Sequence, residues 1–523
     1  MAIPGCVPSS RQHLAAIPII DLFAGPGGLG EGFSSIVDRA GKRTFRIAIS
    51  IEKDPVAHRT LSLRAMFRYF ERPEDVPEIY YDYLRGDGVT RDKLEAHPAM
   101  RNAAQAAAIE ARRATLGVTP MRTIDQWIRE AIEGRDEWVL IGGPPCQAYS
   151  LVGRARQSNV ERSVFEQDHR HLLYREYLRI IRKFHPAVFV MENVKGILSA
   201  KLGGKLIFPR IVDDLALGGR YQIRSFVVEQ PPRDHGDFVI RAERYGLPQA
   251  RHRVILLGVR RDLQHLPHVP LQATAYPPAC VDDVIGDLPS LRSRLSPPSS
   301  DSTEAWLMNL RELLQLRDSI EEPISRVLRS AVDKAARHDS PGAQFVPMSW
   351  NSERRRSSAL ISWLRDPRLR GWCNHESRGH MGSDLHRYLY AAAHARVHGI
   401  SPKVHEFPSM LWPRHRNIAR HDAPFLDRFR VQLADRPSTT VVSHIAKDGH
   451  YFIHPDPSQA RSLTVREAAR LQTFPDNYFF EGQRTEQFTQ AGNAVPPFLA
   501  RQLAEVVQGL LFARRAEVRG VAA

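Results

Sequence analysis

The sequence predicts an α/β protein with a doubly wound, mostly parallel sheet and a second, irregular domain. Short apolar segments alternate with helical patterns through the first half of the 523 residues. Each segment is continuous and ends at a turn, which is typical of strands buried on both faces of a parallel sheet. From about Pro267 this alternation stops, and proline, serine, arginine and histidine become frequent.

Five strands are predicted in the first domain. In chain order they are Ala16–Leu22, Phe45–Glu52, Glu137–Ile141, Ala187–Met191 and Arg253–Leu257. Helical patterns separate several of them, and this alternation favours a doubly wound sheet. In such sheets the functional groups gather at the carboxyl ends of the strands. The side chains found there are Asp21, Glu52, Cys146 and Glu192.

The same patterns divide the chain into three segments. The first domain covers residues 1–266, with an insertion at about 64–136 where the pattern weakens and an alanine-rich helix is expected over 103–113. The second domain covers 267–436 and holds five of the seven tryptophans. Residues 437–523 regain helical patterns, and we expect them to pack back on the first domain.

Composition narrows the class of protein further. Lysine and arginine number 73 against 58 acidic residues, a net charge of +15 that favours a polyanionic partner such as nucleic acid. The chain has no apolar run long enough for a transmembrane helix, and its start lacks the pattern of a signal peptide. Four scattered cysteines do not suit a disulfide scaffold. We therefore expect a cytoplasmic protein.

A glycine-rich turn follows the first predicted strand. Gly25, Gly27 and Gly30 satisfy G-x-G-x-x-G, and Glu52 lies 22 residues beyond Gly30, where a carboxylate can accept hydrogen bonds from a ribose. Small residues let the backbone approach a ligand closely. The turn therefore predicts a nucleoside-cofactor site, but it does not by itself separate NAD, FAD and S-adenosylmethionine.

Three further motifs carry reactive groups. Two prolines fix the backbone ahead of Cys146 and present its thiol at a strand end, where a thiolate would act as a nucleophile. Glu192 ends the next predicted strand. Arg251 and Arg253 alternate with strand period, so both are expected on one face. A turn at 492–497 precedes the last helix; it either closes over the cofactor or simply caps that helix.

In this order, the motifs resemble those of the DNA (cytosine-5) methyltransferase family of the bacterial, restriction-modification type. Each motif is of modest specificity alone, but the ordered set is highly specific and spans nearly the whole chain. The matching blocks are Asp21–Gly30, Glu52, Gly143–Gln147, Glu192–Val194, Gln249–Arg253, Arg461–Pro475 and Gly492–Pro497.

The resemblance implies a Rossmann-like fold that binds S-adenosylmethionine and releases S-adenosylhomocysteine. On this basis residues 1–266 and 437–523 form the catalytic domain, and 267–436 form the target-recognition domain. Asp87 is the expected third cofactor element. The residues implied in cofactor binding are Phe23, Gly25, Gly27, Gly28, Leu29, Glu52, Asp87, Pro144, Leu173, Asn493 and Val495.

The resemblance also implies a covalent mechanism that needs no metal. The Cys146 thiolate would attack C6 of a cytosine that has left the duplex stack, which makes C5 nucleophilic. Glu192 at N3 and Arg253 at O2 would stabilise the charge that develops on the ring. Arg251 would orient Glu192 or bind a phosphate.

Double-stranded DNA is the expected partner of a monomeric enzyme. A cognate restriction endonuclease or defence-system proteins are compatible partners, as is an enzyme acting alone. Phosphate contacts from basic residues would set affinity, and a few side chains would read bases. The predicted DNA-binding residues are Gln147, Ser150, Arg154, Arg156, Gln249, Arg354, Arg355, Arg356, Arg414 and Arg416.

Three other interpretations stay open at this stage. The first is a tRNA cytosine-5 methyltransferase, against which the long basic second domain argues. The second is an NAD- or FAD-dependent oxidoreductase, which leaves Cys146, Glu192 and the arginine pair unexplained. The third is an inactive DNA-binding protein, which the intact Cys146 and Glu192 disfavour.

Overall fold

The structure is a computed structural model that describes residues 16–38, 40–145, 169–202, 204–229, 231–274, 277–315, 320–348, 358–413 and 427–521. Its centre is an eight-stranded sheet, which confirms the predicted α/β class. The strands of this sheet are β1 Ile17–Leu22, β2 Phe45–Glu52, β3 Ala111–Arg113, β4 Val139–Gly142, β5 Val188–Val194, β8 Tyr221–Ser225, β9 Val239–Arg241 and β11 His252–Arg260. Seven of them follow the order β3-β2-β1-β4-β5-β11-β8, and β9 pairs with β11.

Strands β1 to β5 of the sheet are mutually parallel, whereas β11 runs antiparallel to β5. The fifth predicted strand, Arg253–Leu257, therefore lies in the sheet as part of β11, but it is antiparallel to its neighbour β5. In the resulting register Arg253 faces Val194 and Ile255 faces Glu192. The start of β11 thus lies beside the carboxyl end of β5. Arg253, the second residue of β11, therefore lies at the edge where the parallel strands end.

The remaining strands form short pairs outside the sheet. They are β6 Lys201–Leu202, β7 Lys205–Leu206, β10 Gln249–Ala250, β12 Arg294–Leu295, β13 Gly342–Pro347, β14 Gly371–Glu376, β15 Gly379–His380 and β16 Ser438–Thr439. Strands β6 and β7 form an antiparallel hairpin, and β13 and β14 also pair antiparallel. The pairs β10–β16 and β12–β15 are parallel.

Helices cover both faces of the sheet and build the second domain. In chain order they are α1 Gly28–Ser34, α2 Pro55–Arg68, α3 Glu78–Arg85, α4 Arg91–Ala96, α5 Arg101–Glu110, α6 Met121–Ile132, α7 His169–Phe184, α8 Phe208–Ala216, α9 Val281–Ile285, α10 Thr303–Leu314, α11 Glu322–Ala335, α12 Ala359–Leu364, α13 Gly382–His398, α14 Val465–Leu471, α15 Arg484–Asn493 and α16 Pro497–Val521. Several begin at caps that the sequence provides. Asp54 accepts from the Val56 and Ala57 N–H groups ahead of α2, and Thr464 forms a capping box with Glu467 ahead of α14.

The insertion predicted at 64–136 is narrower than the sequence suggests. The alanine-rich helix α5 ends at Glu110, and the chain continues as β3, which pairs in parallel with β2. Helix α6 then returns to the sheet and buries Ile124 and Ile128 in its core. Three residues are too short a segment to stand out as a strand in the sequence, so the helical pattern conceals β3.

The chain's last helix returns to the first domain. Helix α16 packs on α1, and their backbones come close at Gly32, where an added Cβ would lie 2.5 Å from both Arg501 N and Pro497 O. Leu499, Leu503 and Val507 join the apolar core under the sheet. No helix among the described residues is long and apolar enough to cross a membrane.

The second domain has no sharp boundary at residue 436. One core cluster around Trp306, Leu328 and Tyr388 also takes in Ile453 and Ala460. Another joins residues 281–288 and 360–372 to residues 441–494. The segment after 436 therefore packs on both domains.

A buried ionic network ties α1 to α2 and α5. The Glu31 carboxylate accepts from Arg64 Nε at 2.9 Å and Nη2 at 2.5 Å, and Arg68 lies 3.6 Å away and also pairs with Glu110. Although burial alone would raise the pKa of Glu31, Arg64 and Arg68 hold it below its ordinary value. All of these groups are taken out of water, so losing one partner strands the others.

We expect Glu31→Gln to lower the free energy of unfolding by about 3–5 kcal/mol, because Arg64 and Arg68 then lose a buried counter-ion. Glu133→Gln is the matched control, since Glu133 pairs with Arg46 at 3.0 Å on the surface and such pairs contribute about 0–1 kcal/mol. Urea denaturation of both variants measures the difference. Equal losses would contradict this account of the network.

Candidate active site

A cavity of about 750 Å³ opens at the carboxyl ends of the five parallel strands. Its walls come from the turn after β1, the end of β2, the turns after β3 and β4, the end of β5, and helices α7 and α15 with the turn that follows α15. Nine of the eleven predicted cofactor residues line it, namely Phe23, Gly25, Gly28, Leu29, Glu52, Pro144, Leu173, Asn493 and Val495. Glu192 lines the same cavity.

The glycine-rich turn is held to β2 by the Glu52 carboxylate. Glu52 Oε2 accepts from Gly25 N at 2.8 Å, while Oε1 accepts from Lys53 N and Asp54 N, each at 2.8 Å. Gly25 has φ +58° and Gly27 has φ +100°, values that favour glycine. A Cβ on Gly27 would also lie 2.8 Å from Leu61 Cδ1. Gly27 thus shapes the turn from beneath without lining the cavity.

Helix α1 begins directly against the turn that precedes α16. An added Cβ on Gly28 would lie 2.1 Å from the Val495 carbonyl oxygen. No real Cβ fits at that distance, so glycine is required for the backbones of residues 28 and 495 to meet. The two most distant motifs of the chain therefore share one wall of the cavity.

Asp21 is fully buried on β1, below the glycine-rich turn. Burial raises its pKa from 3.8 to about 8, and the Arg68 guanidinium offsets this effect only in part. The carboxyl group is therefore protonated in the folded protein at neutral pH. Because the unfolded chain releases that proton above pH 4, Asp21 lowers stability as the pH rises toward 8.

We expect Asp21→Asn to be more stable than the parent at pH 8, with a difference that shrinks as the pH falls toward 5. The slope is at most about 1.4 kcal/mol per pH unit, the free-energy equivalent of one proton. Denaturation of both proteins across this pH range measures it. A difference that does not change with pH would contradict a protonated Asp21.

Glu192 and Arg253 form an ion pair at the edge of the cavity. Arg253 Nε lies 2.9 Å from Glu192 Oε1, and both side chains keep 13–14% of their surface exposed. The other oxygen, Oε2, would lie 2.9 Å from a Cβ on Gly143. Asn193, next in sequence, donates to the Pro144 carbonyl at 3.3 Å. The pair thus borders the segment that leads into Cys146, which itself lies outside the described residues.

Arg251 and Arg253 differ in burial and in partners, although the sequence analysis treats them as an equivalent pair. The backbone N–H of Arg251 bonds to Gln249 O at 2.9 Å, a tight turn between β10 and β11 that breaks the strand alternation. The guanidinium is buried and donates to the carbonyls of Val441 and Ala494, each at 2.8 Å, and more weakly to that of residue 492. Burial lowers the pKa of Arg251 well below its ordinary value. Arg251 therefore fixes a wall of the cavity and contacts neither Glu192 nor the exterior.

Gln249 is fully buried, so the prediction that it contacts DNA is wrong. Its side-chain amide donates to Leu471 O at 3.0 Å and to Gln472 Oε1 at 3.1 Å, while its oxygen accepts from Val441 N at 2.8 Å. Gln249 joins the sheet to the segments near 441 and 471. It is a structural residue rather than one that reads bases.

Asp87 does not line the cavity, which contradicts its predicted role. It lies just beyond α3, is exposed, and pairs with Arg85 at 3.1 Å. The turn after β3, residues 114–118, lines the cavity instead. Thr115 N bonds to Thr119 Oγ1 at 3.1 Å and shapes this turn, and Val118 is 74% exposed at the cavity. Because the short strand β3 is concealed in the sequence, the turn that follows it is concealed as well.

Several lining residues belong to no motif that the sequence analysis singles out. They share two locations, the start of α2 and one face of α15, and are Lys53, Asp54, Ala57, Thr485, Glu486, Thr489 and Gln490. The residues on α15 recur at helical spacing and lead to Asn493, one turn after Thr489 and Gln490. That spacing, together with the turn at 492–497, is the signal that would have found them.

Some predicted residues are not described by the structure. Besides Cys146, they are Gln147, Ser150, Arg154, Arg156, Arg354, Arg355, Arg356, Arg414 and Arg416. Cys373, His375 and His380, whose spacing suggests no standard zinc site, bond instead to protein groups. They contact Leu84 O, Thr464 Oγ1 and Ser462 Oγ respectively.

Comparison with known proteins identifies the family. The family model for C-5 cytosine-specific DNA methylase matches residues 107–509. The chain is 34% identical over 519 residues to Type II methyltransferase M.Bpa9945I of Bacillus paralicheniformis, covering 94% of this chain and 99% of that protein. It is 28% identical to Type II methyltransferase M.AgeI of Thalassovita gelatinovora, over 71% and 82% of the two chains.

A solved structure supports the fold. It is described as a DNA modification methyltransferase encoded within an E. coli prophage, with a TM-score of 0.54, 19% identity, and coverage of 95% of this chain and 99% of that one. The chain belongs to the C-5 cytosine-specific DNA methylase family. It is a DNA (cytosine-5-)-methyltransferase of the restriction-modification type.

Proposed function

We propose that the cavity binds S-adenosylmethionine and that Cys146, Glu192 and Arg253 act on a cytosine presented at its edge. The observation that carries this proposal is the position of the Glu192–Arg253 pair. Glu192 lines the same cavity as Glu52 and the glycine-rich turn, and its ion pair with Arg253 borders the turn that leads into Cys146. A methyl donor and a cytosine would thus meet at one edge of the sheet.

The lining of the cavity suits this cofactor. Its volume falls in the range of small-molecule sites, and Phe23, Leu116 and Val118 offer apolar surface for a purine. Among the described residues that line the cavity, carboxylates outnumber the single lysine. This negative balance favours a ligand with positive groups, such as a sulfonium and an ammonium. Glu52 Oε2 takes one N–H and has a further lone pair for a ribose hydroxyl. The cofactor, when bound, supplies an electrophilic methyl group.

The protein groups activate the base. The Cys146 thiolate forms a bond to C6 of cytosine, and C5 becomes nucleophilic toward the methyl group. Glu192 Oε1 is held by Arg253, and Oε2 lies beside Gly143. In the proposed reaction Oε2 carries a proton and donates it in a hydrogen bond to N3. The Arg253 guanidinium stabilises charge on O2. C5 then forms a bond to the methyl group, and S-adenosylhomocysteine leaves. A base removes the C5 proton, the C6–S bond breaks, and the thiolate is restored.

The remaining parts of the proposal concern DNA and location. The second domain, approximately 267–436, recognises a short sequence in double-stranded DNA from which the cytosine is flipped out. The arginines at 154, 156, 354–356, 414 and 416 contact phosphates or bases. The enzyme acts as a monomer in the cytoplasm. Its partner protein is a restriction endonuclease that recognises the same DNA sequence.

Methylation mapping in a host that lacks cytosine methylation tests this function. We expect the parent protein to methylate C5 within one short motif, and Cys146→Ser to leave no mark because the adduct cannot form. Glu192→Gln should lower the single-turnover rate by about 10²–10⁴-fold, the usual contribution of acid–base catalysis. Unmethylated DNA with the parent, or label transferred to tRNA in place of DNA, would contradict the proposal.

Cofactor affinity provides a second test. We expect Glu52→Gln to weaken S-adenosylmethionine binding by about 10- to 100-fold, since a charged hydrogen bond contributes about 1.5–3 kcal/mol. Asp87→Asn is the matched control, because Asp87 lies outside the cavity, and it should leave the affinity unchanged. Isothermal titration calorimetry measures both. Weaker binding by Asp87→Asn would instead favour Asp87 as the third cofactor element.

A further inference from the structure

A hairpin of two short strands, β6 (Lys201–Leu202) and β7 (Lys205–Leu206), follows the strand that carries Glu192, and the segment around it is basic. Residues 193–212 contain four basic side chains and no acidic one. All four are exposed, and no carboxylate of the described residues lies within 4.0 Å of any of them. Exposed cations without counter-ions raise the local positive potential and attract polyanions. The four residues are Lys195, Lys201, Lys205 and Arg210.

The hairpin stands beside the candidate active site. Val194, the last residue of β5, lines the cavity, and a short 3-10 helix, Lys195–Ser199, follows at once and packs against β11. With a rise of about 2 Å per residue through that helix and about 3.4 Å through the next two residues, Lys201 lies within roughly 20 Å of Val194. This is less than one turn of duplex DNA, about 34 Å. A duplex bound at the cavity would therefore extend far enough to reach a hairpin at this distance.

The hairpin is firmly attached at its base. Ile207 N donates to Ala200 O at 3.1 Å and closes the two strands. Ile197, Ala200 and Phe208 are buried in a second core cluster, which is separate from the one that α16 joins. Anchored in this way, the lysines are held in place before any partner binds, so binding orders little additional backbone.

The two strands carry one lysine on each face. In the antiparallel register Lys201 pairs with Leu206, and Leu202 pairs with Lys205. Paired residues share a face, so Lys201 and Lys205 point to opposite sides of the ribbon. A ribbon with a cation on each side can contact phosphates on both sides of a groove, and a two-stranded ribbon fits the major groove.

We propose that the β6–β7 hairpin is a phosphate-binding element that holds DNA against the catalytic domain. Its lysines neutralise backbone phosphates without reading the sequence. The inference rests on the proposed action on double-stranded DNA. It adds a second phosphate-binding part of the catalytic domain to the proposed contacts of Arg154 and Arg156.

The test compares two double variants of the full chain. Lys201→Ala with Lys205→Ala removes two charges from the hairpin. The matched control, Lys42→Ala with Arg261→Ala, removes two charges from exposed positions before β2 and after β11, at the opposite edge of the sheet. Binding of a fluorescent mixed-sequence duplex is measured against salt concentration for the parent and both variants. S-adenosylmethionine binding by each variant serves as the check on folding.

We expect the hairpin variant to reduce the slope of log K against log salt by about 2, or about 1 for each phosphate that the hairpin no longer neutralises. The control should keep the slope of the parent. An unchanged slope in the hairpin variant, or an equal reduction in the control, would overturn the proposal. If the hairpin instead bound an acidic protein, the hairpin variant would keep the slope of the parent. If the parent methylates DNA and the slope is unchanged, only the hairpin proposal fails; if the parent does not methylate DNA, the proposed function fails.

Discussion

One buried guanidinium joins the parts of the chain on which the cavity depends. Arg251 lies at the start of β11, and its donors end on carbonyls near residues 441 and 492–494. Those carbonyls have little access to water, so losing the arginine would leave several unsatisfied acceptors at once. Gln249 makes a parallel set of bonds to residues 441, 471 and 472. The sheet, the segment after the second domain and the turn before the last helix are thereby held as one unit.

Two carboxylates of this unit, Glu52 and Glu192, have different hydrogen-bonding partners and therefore suit different roles in binding and catalysis. Glu52 is held by three backbone N–H groups, which fix it against the glycine-rich turn. Glu192 is held by one guanidinium and keeps an oxygen beside Gly143. An acid embedded in backbone amides suits a fixed hydrogen-bonding role toward a cofactor. An acid paired with a single arginine beside the Cys146 segment suits a role in which charge develops on the substrate.

The second domain is likewise held by buried polar groups rather than attached through a simple linker. Arg470 binds Asp476 at 2.7 Å and Asp287 at 2.5 Å, and Arg461 binds Glu467, with all three arginine-to-acid pairs nearly excluded from water. Burial of Glu467 would raise its pKa, but Arg461 holds that pKa well below the ordinary range. Removing one partner of such a pair is costly. Of these pairs, Arg470–Asp287 joins the second domain to the segment after residue 436.

The strand–helix alternation, the glycine-rich turn, Glu52, Glu192 and Asn493 can all be identified from the amino-acid sequence, and so can the family to which they belong. These features are local: a strand period, a turn that requires glycine or proline, or a reactive side chain at a strand end. Nine of the predicted cofactor residues line one cavity for this reason. The ordered motifs are sufficient to predict the family and these cavity residues because each motif is complete within a few residues.

The direction of β11, the existence of β3 and the separate roles of Arg251 and Arg253 emerge from the three-dimensional arrangement alone. Two arginines two residues apart look equivalent in a strand, but a hydrogen-bonded turn at Gln249 directs one into the core and leaves the other at Glu192. Asp87 likewise has the right chemistry but lies on the surface, whereas residues 114–118 line the cavity. Pairing partners and burial depend on segments hundreds of residues apart, and no local pattern of side chains encodes them.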